Sequence, residues 1–148
     1  MSLGISFREW LTGSYWRLDA PTDERAMDVV IDAQPAGGGG PLREAAWRLS
    51  GTVDAEQLAS RRPLEGTVAL RFRGERRVPY RMAFAGDDGR RYELSGQKEW
   101  TSFMPFESVT LLTAGLYDEA GEEVGRATLR FDLRADWARW LRHLRVHL

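Results

Sequence analysis

The sequence predicts a mainly β domain: an antiparallel sandwich or flattened barrel of about seven to eight strands with a C-terminal amphipathic helix. Three observations predict it. Successive stretches alternate apolar and polar residues with period two, turn-forming residues separate several of them, and the period changes to a helical one after Asp136. No repeat or boundary interrupts the chain, so residues 1–148 read as one domain.

Ser6 and Glu9 have capping-box spacing, and Phe7, Trp10 and Leu11 follow at helical spacing, so a short helix ending near Gly13 competes with an opening strand. Period two then takes over. Met27, Val29, Ile31 and Ala33 share one face, as do Ala45, Trp47, Leu49 and Val53. Thr67–Arg73 and Arg77–Phe84 alternate in the same way, with Val68 and Leu70, then Tyr80, Met82 and Phe84, on the inner side. Tyr92 and Leu94 begin the next inner face. Val109–Tyr117 is apolar on both sides, and Ala127, Leu129, Phe131 and Leu133 complete the set. Gly74-Glu75, Asp87-Asp88-Gly89 and Glu119-Ala120-Gly121 sit between alternating runs, which predicts three hairpins. Pro79 lacks an N–H, so its strand is expected to be an edge or bulged there. Trp137, Trp140, Leu141, Leu144 and Leu148 recur on one helical stripe, which predicts a helix over about 135–146.

Composition narrows function. The chain has 148 residues, a net charge of −1 and no cysteine. There is no overall basic field for nucleic acid, and disulfides, thiolate metal sites and Cys nucleophiles are excluded. No apolar run is long enough to span a membrane as a helix, and the N-terminus lacks the pattern of a signal peptide, so a cytoplasmic location is expected. No cofactor is expected. The run Gly37–Gly40 is followed by Pro41-Leu42-Arg43, not by the Lys-Ser/Thr of a phosphate loop. His143 and His147 have a spacing that holds metals, but no carboxylate lies near them in sequence, so no metal site is expected. Asp87, Asp88, Asp118, Glu119, Glu122 and Glu123 read as solvated turn acids before calcium ligands. No serine motif or domain-body histidine supports a hydrolase triad, and no catalytic set is assigned.

Two features stand out. Lys98 is the only lysine, and counting by two from Tyr92 and Leu94 places it on an inner face. A desolvated lysine there has a lowered pKa and serves as an anion binder or a nucleophile; the competing reading ends the strand at Gly96 and lets Lys98 snorkel out beside Trp100. The segment Trp100–Phe106, WTSFMPF, is apolar where connections are normally polar, so it reads either as a ligand mouth or partner contact or as a loop folded over one end of the core. Lys98, Tyr92, Trp100, Phe103 and Phe106 are therefore the candidate ligand-binding residues. The aromatics Trp10, Tyr15 and Trp16 also read as exposed.

An ordered series of short motifs carries a resemblance. It runs through Phe7-x-Glu9-x-Leu11-x-Gly13, Gly51-Thr52-Val53, Pro63-Leu64-Glu65-Gly66-Thr67-Val68, Tyr80-Arg81-Met82-Ala83-Phe84, Gly96-Gln97-Lys98, Thr110-Leu111 and Asp136-Trp137-Ala138-Arg139. In this order the chain resembles an accessory β domain of bacterial cholesterol-oxidase-like flavoproteins of the glucose–methanol–choline type. The flavin-binding part has no counterpart here, so the resemblance implies a β domain in a lipid-related setting without oxidase activity. The expected function is a non-catalytic module for an apolar or lipid-like ligand, or one that docks to a lipid-metabolising enzyme. A small enzyme using Lys98 and a structural protein–protein interaction domain are the alternatives.

Overall fold

The computed structural model describes residues 4–36, 44–71, 77–99, 109–132, 142 and 145–147. They form β1 (Gly4–Arg17), β2 (Ala20–Pro35), β3 (Glu44–Ala55), β4 (Ala59–Arg71), β5 (Arg77–Ala85), β6 (Arg91–Glu99), β7 (Val109–Tyr117), β8 (Glu123–Asp132) and β9 (Arg145–His147). Each of the first eight strands pairs antiparallel with its sequence neighbour, and β1 also pairs with β8. The ring is therefore a closed eight-stranded up-and-down barrel.

This settles the expectation of a sandwich or flattened barrel in favour of closure. A sandwich keeps two sheets with free edges, whereas here hydrogen bonding continues around the ring. The partners can be followed from Arg17 through Gly125, Leu116, Leu94, Met82, Gly66, Leu49 and Ala33 to Phe7. That circuit returns to β1 ten residues before its start. Such a stagger tilts strands by roughly 35–45° to the axis, and eight strands enclose a lumen that side chains fill or that holds one small ligand.

The period-two reading recurs in β2 to β8, and the inward set is the core. Met27, Val29, Ile31, Val53, Leu94, Leu112 and Leu129 are all buried. Outward positions carry ion pairs, such as Arg8–Asp32 at 2.6 Å and Arg81–Glu93 at 2.8 Å. Close strand approach is met by glycine: a Cβ on Gly66 would run into the backbone carbonyl of Arg81, and one on Gly13 into that of Thr128.

The N-terminal segment is strand, not helix. Its inward set is Glu9, Leu11, Gly13 and Tyr15, all but Gly13 buried. Tyr15, read as exposed from the sequence, is fully buried and donates its hydroxyl to the Glu56 carbonyl. The turns at 86–90 and 118–121 form, each closed by backbone bonds and each with its glycine at positive φ. Gly74-Glu75 lies outside the described residues. Pairing of β4 with β5 is recorded from Leu64–Phe84 to Val68–Tyr80, one residue short of Pro79.

The expected helix over about 135–146 is corrected at its last two residues. Of the span 135–146, residues 135–141, 143 and 144 lie outside the described residues. Arg145 and Val146 are in β9, where they pair with Ser6 and Ile5. β8 is recorded against β1 only over Thr12–Arg17, and β9 takes up backbone groups at the other end of the same strand. Among the described residues, no helix is long and apolar enough to cross a membrane.

Candidate functional site

The two ends of the barrel differ. Strands β1, β3, β5 and β7 run toward one end, where short turns at 18–19, 56–58, 86–90 and 118–122 join them to their successors. The connections 36–43, 72–76, 100–108 and 133–144 all leave from the opposite end, called here the loop end.

The turn end is sealed and cross-tied. Leu58 and Tyr15 are buried there, and Tyr92 stacks on Phe84 with ring centroids 5.8 Å apart. The Tyr92 hydroxyl donates to Asp88 at 2.8 Å, and burial followed by the Asp88 contact raises its pKa. Asp87 accepts from Arg62 at 2.9 Å and from the Ser60 backbone and hydroxyl. Asp118 accepts from the backbone of Ala120 and Glu122, and Glu119 from that of Arg91. These acids hold turns together, and no group of metal-binding composition occurs among the described residues. His147 is in β9 and His143 lies outside the described residues.

Toward the loop end the lumen carries its one polar contact between inward-facing strand side chains that the described residues show. Glu9 on β1 and Tyr80 on β5 come from strands on opposite sides of the ring. The Tyr80 hydroxyl donates to Glu9 Oε2 at 3.2 Å. Glu9 is 8% exposed and Tyr80 3%. Among the described residues, Ile31 is paired to Glu9 and Val68 to Tyr80, and both are buried and apolar. Burial first, then the Glu9 charge and hydrogen bond, push the Tyr80 phenol well above its ordinary pKa, so it stays a donor. Beyond this pair toward the loop end, Phe7 and Trp47 are partly buried against the core and meet edge to face at 5.9 Å.

The expected site residues divide between the two ends. Tyr92 opens β6 at the turn end, whereas Lys98, near the close of the same strand, falls at the loop end. They are six positions apart on the strand, a span of roughly 20 Å. Lys98 pairs with Val78 on β5 and Leu112 on β7, and its register belongs to the same alternating set as Leu94 and Gly96. Trp100, Phe103 and Phe106 lie outside the described residues, in the connection that leaves the loop end. Sequence reasoning missed Glu9 and Tyr80 as a pair. The available signal was an acidic residue in register with Leu11 and Tyr15, which the capping-box spacing masked. Comparisons of the chain with protein-family models, curated proteins and solved structures find no match.

Proposed function

We propose that the barrel is a non-catalytic binding module that takes an apolar, lipid-like small molecule into its lumen from the loop end. The observation that carries this reading is the difference between the ends around an apolar lumen. The turn end is sealed by Leu58, Tyr15 and Tyr92, while the loop end presents the half-buried aromatics Phe7 and Trp47 above the Tyr80–Glu9 hydrogen bond. An apolar chamber with few placed polar groups is the usual form of a small-molecule site. The resemblance to an accessory domain of lipid-oxidising enzymes accords with it, and so does the apolar sequence of Trp100–Phe106.

Titration with fatty acids, sterols and steroid acids tests the proposal, read by tryptophan emission and thermal unfolding together. Saturable emission change with a rise in Tm is the expected result, since a ligand at about 100 times its Kd adds roughly 2.7 kcal/mol to stability. No response to any of the three classes would overturn it and leave docking to a partner enzyme as the reading of the loop-end aromatics.

A further inference from the structure

The sealed turn end holds two residues in a backbone conformation that suits neither of them. We infer that the connection between β3 and β4 is a strained strap, fastened by Asp87, that opens as a unit and swings Leu58 out of the core while the rest of the barrel stays closed. The inference concerns the end opposite the proposed entry and does not depend on ligand binding.

Among the described residues, Gln57 with φ 61° and Arg61 with φ 46° are the only non-glycine residues at positive φ. Gln57 is the third residue of the turn 55–58, which the Leu58 N–H closes onto the Ala55 carbonyl at 3.0 Å. Glycine is the residue favoured at that place when φ is positive. Arg61 lies in a bulge, where Ser60 and Arg61 stand opposite Asp54 between the pairs Val53–Arg62 and Ala55–Ala59. A side chain at such a φ is strained, and it persists only where the surroundings hold it. Here bonds from three other elements do so. From β2, the Ala26 carbonyl accepts from the Glu56 N–H at 3.1 Å and Arg25 donates to the Gln57 side chain; from β1, the Tyr15 hydroxyl donates to the Glu56 carbonyl. Asp87, in the turn joining β5 and β6, does most. Its carboxylate accepts from the Ser60 N–H at 3.0 Å, the Ser60 hydroxyl at 2.9 Å and Arg62 Nε at 2.9 Å, and its own N–H donates to the Leu58 carbonyl at 2.8 Å. Leu58 and Ala59, between the two strained residues, are 3% and 2% exposed. The segment thus combines strain that opening relieves, a fastening supplied largely by one residue, and apolar side chains that opening uncovers. Pairing of β3 with β4 continues from Val53–Arg62 to Glu44–Arg71 without it, so the strap lifts with the ring intact.

Native-state amide exchange on the full chain at neutral pH, corrected for intrinsic rates, reads the strap directly. The amides of Leu58, Ser60, Arg61 and Asp87 are expected to exchange together and independently of low denaturant, through an opening that leaves Val29 and Ile31 protected. Asp87→Ala should lower protection at Leu58, Ser60 and Arg61 about tenfold or more and leave the turn at 118–122 unchanged. Ser60→Ala removes one of the same bonds and should act in the same direction, which keeps the test open should Asp87→Ala fail to fold. Gln57→Gly and Arg61→Gly should each raise protection of the strap about threefold or more, because glycine removes the strain that drives opening. Unchanged or lowered protection in both glycine variants overturns the proposal. So does exchange of the strap amides only together with those of Val29 and Ile31, and so does an Asp87→Ala effect of equal size at 118–122.

Discussion

Glu9 and Tyr80 show what a buried polar pair contributes and what it costs. A net hydrogen bond contributes about 1 kcal/mol, but removing one partner of a buried contact also exposes the desolvation cost of the other. Tyr80→Phe keeps the ring and removes only the donor. It is expected to lower stability by about 1–2 kcal/mol, seen as a lower denaturant midpoint with an unchanged slope. A midpoint equal to wild type would mean that Glu9 exchanges Tyr80 for another partner at no cost. The phenols also set an alkaline limit. Burial raises the pKa of Tyr80, Tyr15 and Tyr92 in the folded chain. A raised folded value adds stability that is complete below the unfolded value and is lost as pH rises toward the folded one. Stability should therefore decline above about pH 10, and Tyr80→Phe should flatten that decline.

At the scale of elements, the turn joining β5 and β6 is held by carboxylates. Hydrogen bonds from Arg62 and Ser60 hold Asp87 below the ordinary carboxylate range; the Arg90 backbone and the Tyr92 hydroxyl do the same for Asp88. Depressed folded values mean stability that is present above the unfolded pKa and lost as pH falls through the folded one. The turn should loosen below about pH 4, and Asp87→Asn should make amide exchange at 86–90 nearly independent of that acid transition once the intrinsic exchange rate is removed. An acid transition unaltered by Asp87→Asn would place it elsewhere. Elements were legible where apolar residues alternate without interruption, as in Met27–Ala33. They were not where polar residues or glycine occupy inward positions. In β1 the inward set includes Glu9 and Gly13, so the surviving apolar residues mimic a helix. In β4 the first half, Ala59–Gly66, is broken by Arg61, Arg62 and Pro63, and alternation becomes visible only from Leu64. The candidate site suffered from the same ambiguity: Trp47 was read inward correctly, but Glu9 was assigned to a cap.

At the scale of the molecule, alternation could not distinguish a sandwich from a closed barrel, because both bury every second residue. Closure depends on the stagger, and that is fixed by register between strands distant in sequence. The seam is the pairing of β1 with β8, where Thr12–Arg17 meets Gly125–Arg130. Every other pairing around the ring joins consecutive strands through one connection. The seam alone must close a loop of more than a hundred residues, and the entropy of that closure is lost before its contacts form. We expect hairpins to form first and the seam to close late, after the folding transition state. Two glycines isolate the difference. A Cβ at Gly13 meets the Thr128 carbonyl across the seam; one at Gly66 meets the Arg81 carbonyl across the local pairing of β4 with β5. Both alanine variants are expected to lose about 1–3 kcal/mol, since each forces backbone apart. They should lose it differently. Gly66→Ala should slow folding, because its pairing is already present in the transition state. Gly13→Ala should leave the folding rate nearly unchanged and appear almost wholly as faster unfolding. Chevron plots of both variants measure this directly. A folding limb slowed equally by the two would show that the ring closes early, with the seam as part of the nucleus.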